Sequence, residues 1–443
     1  MTQKLDIKDW YISRFKDFEN SLNGESVKPI HKLRKEAIEN FSQLNFPTTH
    51  DEDWKYTNIT PLLRYNFKPF DGNVTLNENQ IEKFLFKNFS NNRLVFVNGH
   101  FIKELSKIIN LPDGVIAGSI AAEFKNNSKV IDEHFSKYAN YKEHIFTALS
   151  TAFTIDGAFI FIPEGKIVEE PIHILFITDS AGEKILTQPR NLFVAGKNSQ
   201  VSIIEHYTSM NDDIYFTNVV TEIVAEQDSI IDHVKLQEES INSFHISREE
   251  IDQERGSNFT SHSISFGGEI ARNDVKSRFN DKGSECTLNG LYLLRRKQLY
   301  DSHTMIDHAK PYCNSHEHYK GILDDQSRGV FNGKVLVRQD AQKTNAFQEN
   351  NNIILSDDAL VNTKPQLEIF ADDVKCSHGA TVGQLDMDSL FYLKSRGIGE
   401  EKARTILIHA FASDIVKSIK IESVKNYLEE ILEKTFNKES SRN

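Results

Sequence analysis

Gly196-Lys197-Asn198-Ser199 is a short polar turn, and the β-branched stretch Val201-Ser202-Ile203-Ile204 follows it almost directly. The same pairing of a polar turn with a strand pattern recurs downstream. The later turns are Glu226-Gln227-Asp228-Ser229, Glu254-Arg255-Gly256-Ser257, Asp281-Lys282-Gly283-Ser284 and Asp324-Asp325-Gln326-Ser327. Their serines step by 30, 28, 27 and then 43 residues along the chain. A nearly fixed step in an all-β segment predicts the stacked turns of a β-helix or solenoid, with a β-sandwich as the alternative.

Short strand patterns continue on both sides of this repeat, from about Ala158 to about Gln384. No convincing helical periodicity interrupts them. The alternation of strands and helices that marks a βαβ fold is therefore not expected. We predict a mainly β protein that also contains α-helices, with its β-helix core at residues 156–385.

Helical periodicity precedes the predicted core. Apolar residues at helical spacing predict helices over Ile7–Leu22, where Gly24 supplies a stop, and over about Ile30–Phe41. A further helix is expected around His134–Ala152, and Asn98-Gly99 between two apolar runs predicts a β-hairpin. We predict a mostly helical N-terminal domain at residues 1–155.

Helical periodicity also follows the core. A first helix is expected between Asp386, which can cap it, and Gly397, where it stops. A second begins near Gly399, and its apolar residues cover more than one packing face. These apolar residues are Ala403, Ile406, Leu407, Ile408, Ala410, Phe411, Ala412, Ile415 and Ile419. With a last helix over Val424–Phe436, we predict a helical C-terminal domain at residues 386–443.

The bulk composition restricts the class of protein. The chain has 443 residues, a formal net charge of -12 and three cysteines. An acidic chain is not expected to bind nucleic acid or an anionic membrane in a general way. Three scattered cysteines cannot form a disulfide framework, and neither a signal peptide nor a membrane-spanning run is apparent in the sequence. We expect a cytoplasmic protein.

The segment from Phe370 to Gly383 carries the most informative pair of side chains. In an extended segment Cys376 and His378 project from the same face, and thiolate and imidazole both bind iron–sulfur clusters and zinc. A closed site usually needs about four protein ligands, so the most economical interpretation of this pair as ligands is half a site that another chain completes. From the spacing alone, a buried cysteine beside a hydrogen-bonded histidine near a strand end is the preferred interpretation. Asp372, Asp373 and Lys375 are possible auxiliary groups, or simply a solvated turn.

A second group of candidate ligands consists of His303, His308, Cys313, His316 and His318. Two of them, His316 and His318, would lie on one strand face. The spacing matches no closed zinc motif and no metalloprotease motif. A ladder of satisfied histidines is the preferred interpretation, and a transient metal contact is the alternative.

The segment Ser395–Arg404 predicts two helices around a Gly-x-Gly turn. This resembles a hairpin that clamps DNA phosphate, but Glu400 and Glu401 oppose phosphate binding. A hairpin that docks a protein partner is preferred. The sequence contains no P-loop, no Gly-x-Gly-x-x-Gly after a strand and no Gly-x-Ser-x-Gly elbow, so we expect no nucleotide site in this chain.

Several of these segments together resemble the SufB/SufD family of iron–sulfur cluster assembly proteins, and its SufD branch most. The segments are Asp372–Gly383, Leu390–Ile398, Asn362–Ile369, Phe331-Asn332-Gly333 and Glu52–Thr57. The resemblance covers essentially the whole chain and is most specific between Thr363 and Ile398. It implies a right-handed parallel β-helix between two helical domains.

The resemblance also implies partners and a site. It implies a complex with a SufB-like paralogue, whose β-helix lies beside this one, and with a SufC-like ABC-type ATPase held by the C-terminal helices. His378 matches a histidine proposed as a cluster ligand at the shared interface, and Cys376 matches its neighbouring cysteine. The expected ATPase contacts are Arg396, Gly397, Ile398, Ala403, Leu407 and Phe411.

The resulting hypothesis is a non-catalytic scaffold subunit that shares a transient iron–sulfur cluster with its partner. A β-helix enzyme acting on carbohydrate is the alternative, because such enzymes use paired carboxylates and acidic residues are plentiful here. A hairpin protein that binds DNA ranks last, since the chain is acidic.

Overall fold

The computed structural model describes residues 6–22, 28–70, 72, 75–87, 89, 92–126 and 128–437. The helices are α1 (Ile7–Ser21), α2 (Pro29–Gln43), α3 (Thr60–Leu63), α4 (Glu78–Ile81), α5 (Ile120–Asn126), α6 (Lys129–His134), α7 (Ile145–Ala152), α8 (Met387–Ser395), α9 (Glu400–Ser418) and α10 (Glu422–Asn437). The first strands are β1 (Lys68–Pro69), β2 (Asn92–Val97), β3 (His100–Phe101), β4 (Lys107–Ile108), β5 (Ile116–Ser119), β6 (Ala158–Ile162), β7 (Ile172–Thr178), β8 (Ile185–Thr187), β9 (Arg190–Ala195), β10 (Gln200–Ser209) and β11 (Phe216–Ala225). The later strands are β12 (Ile230–Gln237), β13 (Phe244–Gln253), β14 (Asn258–Ser265), β15 (Ile270–Phe279), β16 (Glu285–Leu294), β17 (Leu299–His308), β18 (Asn314–Leu323), β19 (Arg328–Val337), β20 (Asn345–Ile354), β21 (Leu360–Ile369) and β22 (Lys375–Gly383). The predicted stop at Gly24 lies outside the described residues.

From β9 onward, strands that are two apart in the chain pair in parallel, and this alternation builds two sheets. Sheet A runs through β5, β6, β9 and then every odd-numbered strand from β11 to β21; sheet B runs through β3, β2, β7 and then every even-numbered strand from β10 to β22. Each turn of the coil therefore contributes one strand to each sheet. The result is a β-solenoid of about 8 turns with helices at both ends of the chain. The predicted mainly β architecture with a β-helix core is confirmed, and the β-sandwich alternative is wrong.

A repeated corner explains the serine spacing. The residues before the first four serines, Asn198, Asp228, Gly256 and Gly283, all have left-handed backbone with φ between 54° and 80°. Asn, Asp and Gly tolerate that conformation best. The following serine directly precedes the next sheet B strand. At two of these corners its hydroxyl closes the turn: Ser229 Oγ donates to the Glu226 carbonyl and Ser257 Oγ to the Glu254 carbonyl, each at 2.7 Å. The corner therefore fixes the register in which the turns stack.

The irregular last step of 43 residues has a structural explanation. Ser327 precedes β19 and so belongs to the opposite corner, which feeds sheet A. At the corner that feeds sheet B, the next positions are Cys313 and Thr344, after the left-handed residues Tyr312 and Lys343 (φ 61° in both). The repeat thus continues in the backbone after the sequence signal has ended.

Helices α1, α2 and α7 pack on the outer face of sheet A, where they form an aromatic-rich core with Phe216 and Phe244. The predicted helix over His134–Ala152 is wrong in its first half, because α6 ends at His134 and α7 begins only at Ile145. Between them, the backbone N–H groups of Ser136, Tyr138 and Ala139 donate to the Glu222 carboxylate at 2.8–2.9 Å. Those amides satisfy a buried charge, and for that reason they do not continue a helix.

The Asn98-Gly99 turn forms the predicted hairpin between β2 and β3, with φ of 52° and 85°. The second strand is only two residues long. Strand β2 also pairs in parallel with β7, so it extends sheet B although it lies before residue 155. The proposed domain boundaries at 155/156 and 385/386 stay predictions.

The C-terminal helices form as predicted and lie on the outer face of sheet B. Asp386 caps α8 through the backbone N–H groups of Asp388 and Ser389, and Gly397 ends the turn after α8 with φ of 85°. Helices α9 and α10 bury Ile408, Ile415 and Leu428, among others, against Val234 and Ile322 of the sheet. This packing anchors the helices to the strands that lead to the last turn of the solenoid.

Candidate functional site

The last turn of the solenoid is its open end. Strand β21 ends sheet A and strand β22 ends sheet B, and in the described residues each pairs with a neighbour on one side only. Every residue of these two strands is exposed or half-buried, whereas the preceding strands are largely buried. An uncovered strand edge offers backbone N–H and C=O groups to another chain. This end is therefore the natural place for a partner.

Cys376 and His378 both lie on β22. In the parallel register they pair with Ala346 and Gln348 of β20, whose side chains are buried in the interior of the coil. Because residues at the same register position of neighbouring strands share a face, Cys376 and His378 face the interior side at the open end. The Cys376 side chain is half-buried, and His378 is exposed. Both donors are therefore side by side and accessible from the open end.

Cys376 and His378 are side chains of types that can bind a metal. Cys376 is a free cysteine, and burial raises the pKa of its thiol. Metal binding requires the thiolate, so a metal must displace that proton. No group of three or more His, Cys, Asp and Glu side chains in the described part of the chain is arranged to hold a metal ion. This chain supplies at most two adjacent ligands at its open end.

The auxiliary candidates lie at the corner before β22. Asp373 forms an ion pair with Lys343, and its backbone N–H donates to Gln342 Oε1 at 2.9 Å. Asp372 is exposed in the same corner, and Lys375 is exposed at the start of β22. Asp373 therefore stabilises the corner that positions Cys376.

The five residues of the second candidate group do not come together. His303 lies on the outer face of sheet A, where its Nε2 is 3.0 Å from Asp301 Oδ1, and His308 is buried inside the coil against Ser315. Cys313 is buried at a corner, with its thiol against a backbone carbonyl.

His316 and His318 do share the outer face of β18, as the strand periodicity predicts. His316 stacks on Phe347, with ring centroids 5.4 Å apart, and His318 Nε2 lies 3.9 Å from Asp414 Oδ2. These imidazoles have separate partners, and the geometry gives no support for a common metal contact.

The six candidate docking residues in the hairpin of α8 and α9 differ in how exposed they are. Arg396 and Gly397 are exposed, and Ile398 and Leu407 are half-buried. Ala403 is fully buried, and the Phe411 ring lies 4.7 Å from Lys320 Nζ of the solenoid. Ala403 and Phe411 therefore pack against this chain's own body.

An exposed apolar surface that was not predicted from the sequence lies beside that hairpin. It consists of Met387, Phe391, Tyr392 and Ile406, with exposed fractions between 38% and 73%. We call these four residues the helix patch. Leu390 is the buried residue of α8, so the two following aromatic residues point away from the core. The position of these two aromatic residues relative to Leu390 in the helical repeat is the sequence signal that identifies them as exposed.

A second missed feature lies inside the coil. Gln348 of β20 and Glu317 of β18 occupy the interior positions that lead, turn by turn, to His378. Nothing in the local sequence marks these two residues, because their relation to His378 depends on the register between turns.

None of the helices in the described residues is both long enough and apolar enough to cross a membrane.

Comparisons with known proteins point to one family. The family model described as "SUF system FeS cluster assembly, SufBD core domain" matches residues 176–411, and the model for the SufBD protein N-terminal region matches residues 5–174. An iron–sulfur cluster assembly SufBD family protein of Synechocystis sp. is 35% identical over 92% of this chain and 91% of its own length. The iron–sulfur cluster assembly protein SufD of Escherichia coli is 30% identical over 89% of this chain and 91% of its own length. The SufD protein of Bacillus subtilis is 25% identical over 97% of this chain and 98% of its own length.

Proposed function

The chain belongs to the SufBD family of iron–sulfur cluster assembly proteins, and from this membership we propose that it is a non-catalytic scaffold subunit of a SufBCD-type complex in the cytoplasm. Its partners are a SufB-like paralogue and a SufC-like ABC-type ATPase. The nascent cluster is the cargo, held between the paralogues. Family membership favours this role over a β-helix enzyme acting on carbohydrate.

One observation carries the proposal: Cys376 and His378 lie side by side on the strand that ends sheet B. The two end strands have uncovered edges and expose apolar side chains at Leu360, Ile369 and Val382. Exposed edges of this kind favour pairing with another chain. A paralogue seated there would face both donor groups.

The ligand count supports a shared site. A cluster usually takes about four protein ligands, and the open end offers His378 and at most Cys376. The remaining ligands come from the SufB-like chain. His378 binds the cargo metal through a neutral ring nitrogen, and Cys376 loses its thiol proton when it binds.

Residues 386–443 form the proposed ATPase-docking domain. The helix patch, with the exposed Arg396 at its border, is the contact surface that best fits this role. A large exposed apolar patch rimmed by polar residues favours a protein contact. Of the other expected contacts, Ile398 and Leu407 are half-buried and can contribute, whereas Ala403 is buried within this chain and Phe411 packs on the solenoid.

The ligand role is tested by anaerobic co-expression of the complex with His378→Ala, Cys376→Ala and a control, Ser377→Ala. Ser377 lies between the two donors on the opposite face of β22. We expect His378→Ala to leave the complex intact in size-exclusion chromatography but to lower its iron content and its visible absorbance. The Ser377→Ala complex should retain both. Wild-type cluster loading in the intact His378→Ala complex would contradict the ligand role.

A further inference from the structure

Two buried oxygen atoms lie without a hydrogen-bond partner beneath the open end of the solenoid. They are Gln348 Oε1 and Glu317 Oε1, and none of the described residues pairs with either. Gln348 is 1% exposed and Glu317 is 3% exposed. An unsatisfied buried acceptor destabilises the folded state, so two of them in neighbouring turns require an explanation.

These two side chains stand in register with His378. Glu317 pairs with Gln348 between β18 and β20, and Gln348 pairs with His378 between β20 and β22. The three residues therefore form one interior column that ends at the exposed imidazole, with adjacent strands about 4.8 Å apart. Below Cys376 the equivalent residue is Ala346, which has no side-chain acceptor. Of the two candidate ligands, only His378 therefore has polar side chains beneath it in the column.

The orientation of the Gln348 amide is set by residues in the preceding turns of the solenoid. Gln348 Nε2 donates to Glu317 Oε2. The NH2 group also lies over Gly333 of β19, where any Cβ would collide with it. With its NH2 group directed to Glu317, the amide has Oε1 left to accept a hydrogen bond. The glycine of the Phe331-Asn332-Gly333 segment thus provides the space for this hydrogen bond.

We propose that Gln348 is a positioning residue for His378, whose free Oε1 accepts the N–H of the His378 imidazole and so presents the other ring nitrogen to the metal cargo. The proposal rests on the proposed ligand role of His378 and adds the means by which this chain sets its tautomer. A metal-binding histidine generally donates its second ring N–H to a fixed acceptor, which holds the ring and raises its basicity. Here Glu317 fixes the amide and the amide fixes the imidazole.

The test uses the metal-free full chain labelled with ¹⁵N-histidine. His378 is assigned by comparison with the His378→Ala spectrum, and long-range ¹H–¹⁵N correlation gives its tautomer. In the wild type we expect one tautomer to predominate. In Gln348→Leu the imidazole should become a mixture of both. The control Glu349→Gln, at the next and outward-facing position of β20, should keep the wild-type pattern.

A rescue variant separates positioning from simple packing. In Glu317→Gln/Gln348→Glu the hydrogen bond between the two side chains is reversed and an acceptor remains next to His378, so the single tautomer should return. If Gln348→Leu fails to fold, Gln348→Met, with a linear side chain, takes its place. Unchanged tautomer populations in a folded variant without the amide would overturn the proposal, as would a mixture in the rescue variant.

The cluster provides an independent measure. In the anaerobic complex, Gln348→Leu should retain the cluster about 10–100-fold less tightly, which is the usual effect of losing such a supporting hydrogen bond. If the tautomer changes but His378→Ala loads normally, the ligand role fails and the positioning role stands. If His378→Ala loses the cluster but Gln348→Leu keeps the tautomer, the positioning role fails alone.

Discussion

Lys320 Nζ lies 2.7 Å from Asp414 Oδ2 and 2.8 Å from the backbone carbonyl oxygen of Phe411. Lys320 belongs to β18 and the other two residues to α9. The same strand carries Glu317 on its interior face, so β18 connects the C-terminal helices with the column beneath His378. This contact therefore joins α9 to a strand that lies, through β20, beneath the open end.

We predict a measurable coupling between Lys320 and Asp414 in the free energy of unfolding. We expect the double-mutant cycle of Lys320→Met and Asp414→Asn to give about 1 kcal/mol in urea unfolding, because Asp414 is half-exposed and its charge is screened. The control cycle, Lys425→Met with Glu422→Gln, concerns an exposed pair within α10 and should give about 0.3 kcal/mol. Equal coupling in both cycles would show that the link between α9 and β18 has no special strength.

We predict that the ATPase docks on the helix patch. Phe391 is 73% exposed, so Phe391→Asp should leave the fold nearly unchanged while it places a charge in the contact. Co-purification of the ATPase should be lost. Tyr312→Asp, at a 60% exposed aromatic residue in a solenoid corner, is the matched control and should retain it. If Phe391→Asp still co-purifies at the wild-type ratio, the contact lies elsewhere.

Glu317 predicts a pH dependence of stability. Burial raises the pKa of its carboxyl from 4.5 to about 7, and the hydrogen bond from Gln348 opposes this shift only in part. The folded state therefore holds a proton that the unfolded chain has released, and this contribution to stability is full below about pH 4.5 and is lost as the pH rises towards 7. Relative to Glu317→Gln, the wild type should lose about 3 kcal/mol of unfolding free energy over that window. Urea unfolding at about pH 4.5 and about pH 8 measures this difference.

The exposed neighbour provides the control for that measurement. Glu349→Gln should differ from the wild type by the same small amount at both pH values, since Glu349 is exposed on the outer face of β20. A constant difference between the wild type and Glu317→Gln at the two pH values would contradict the raised pKa.

Arg272 of the solenoid pairs with a buried carboxylate and also contacts the N-terminal segment. Arg272 Nη1 lies 2.8 Å from Asp301 Oδ2, and the guanidinium carbon lies 3.8 Å from the centre of the Trp54 ring. Arg272→Leu leaves Asp301 buried without its cation and should cost about 3–5 kcal/mol of unfolding free energy. Lys364→Met removes the more exposed pair with Glu52 in the same segment and should cost less than about 1 kcal/mol. Similar losses for the two variants in urea unfolding would contradict the importance of this contact.

Local chemistry made much of the architecture predictable. The residues Asn198, Asp228, Gly256 and Gly283 carry the left-handed corners in residue types that favour them, so the turns were visible in the sequence. Tyr312 and Lys343 adopt the same conformation without that preference, because the turns stacked on each side of them impose it. The repeat was consequently lost after Ser284.

The candidate site was predictable only in its last strand. Cys376 and His378 are two residues apart, and their common face follows from strand periodicity alone. The link from His378 to Gln348 and Glu317 spans two turns of about 30 residues, and a shift of one residue in either register would turn those side chains outward. That relationship could be recognised only from the folded structure.

The most direct test of the shared-site account is anaerobic reconstitution of the isolated chain with ferrous iron and sulfide, followed by gel filtration and measurement of iron and visible absorbance. The account predicts that Cys376 and His378 alone retain no stoichiometric cluster, and that retention appears only when the SufB-like partner is present. A stable, stoichiometric cluster on the isolated monomer would contradict it.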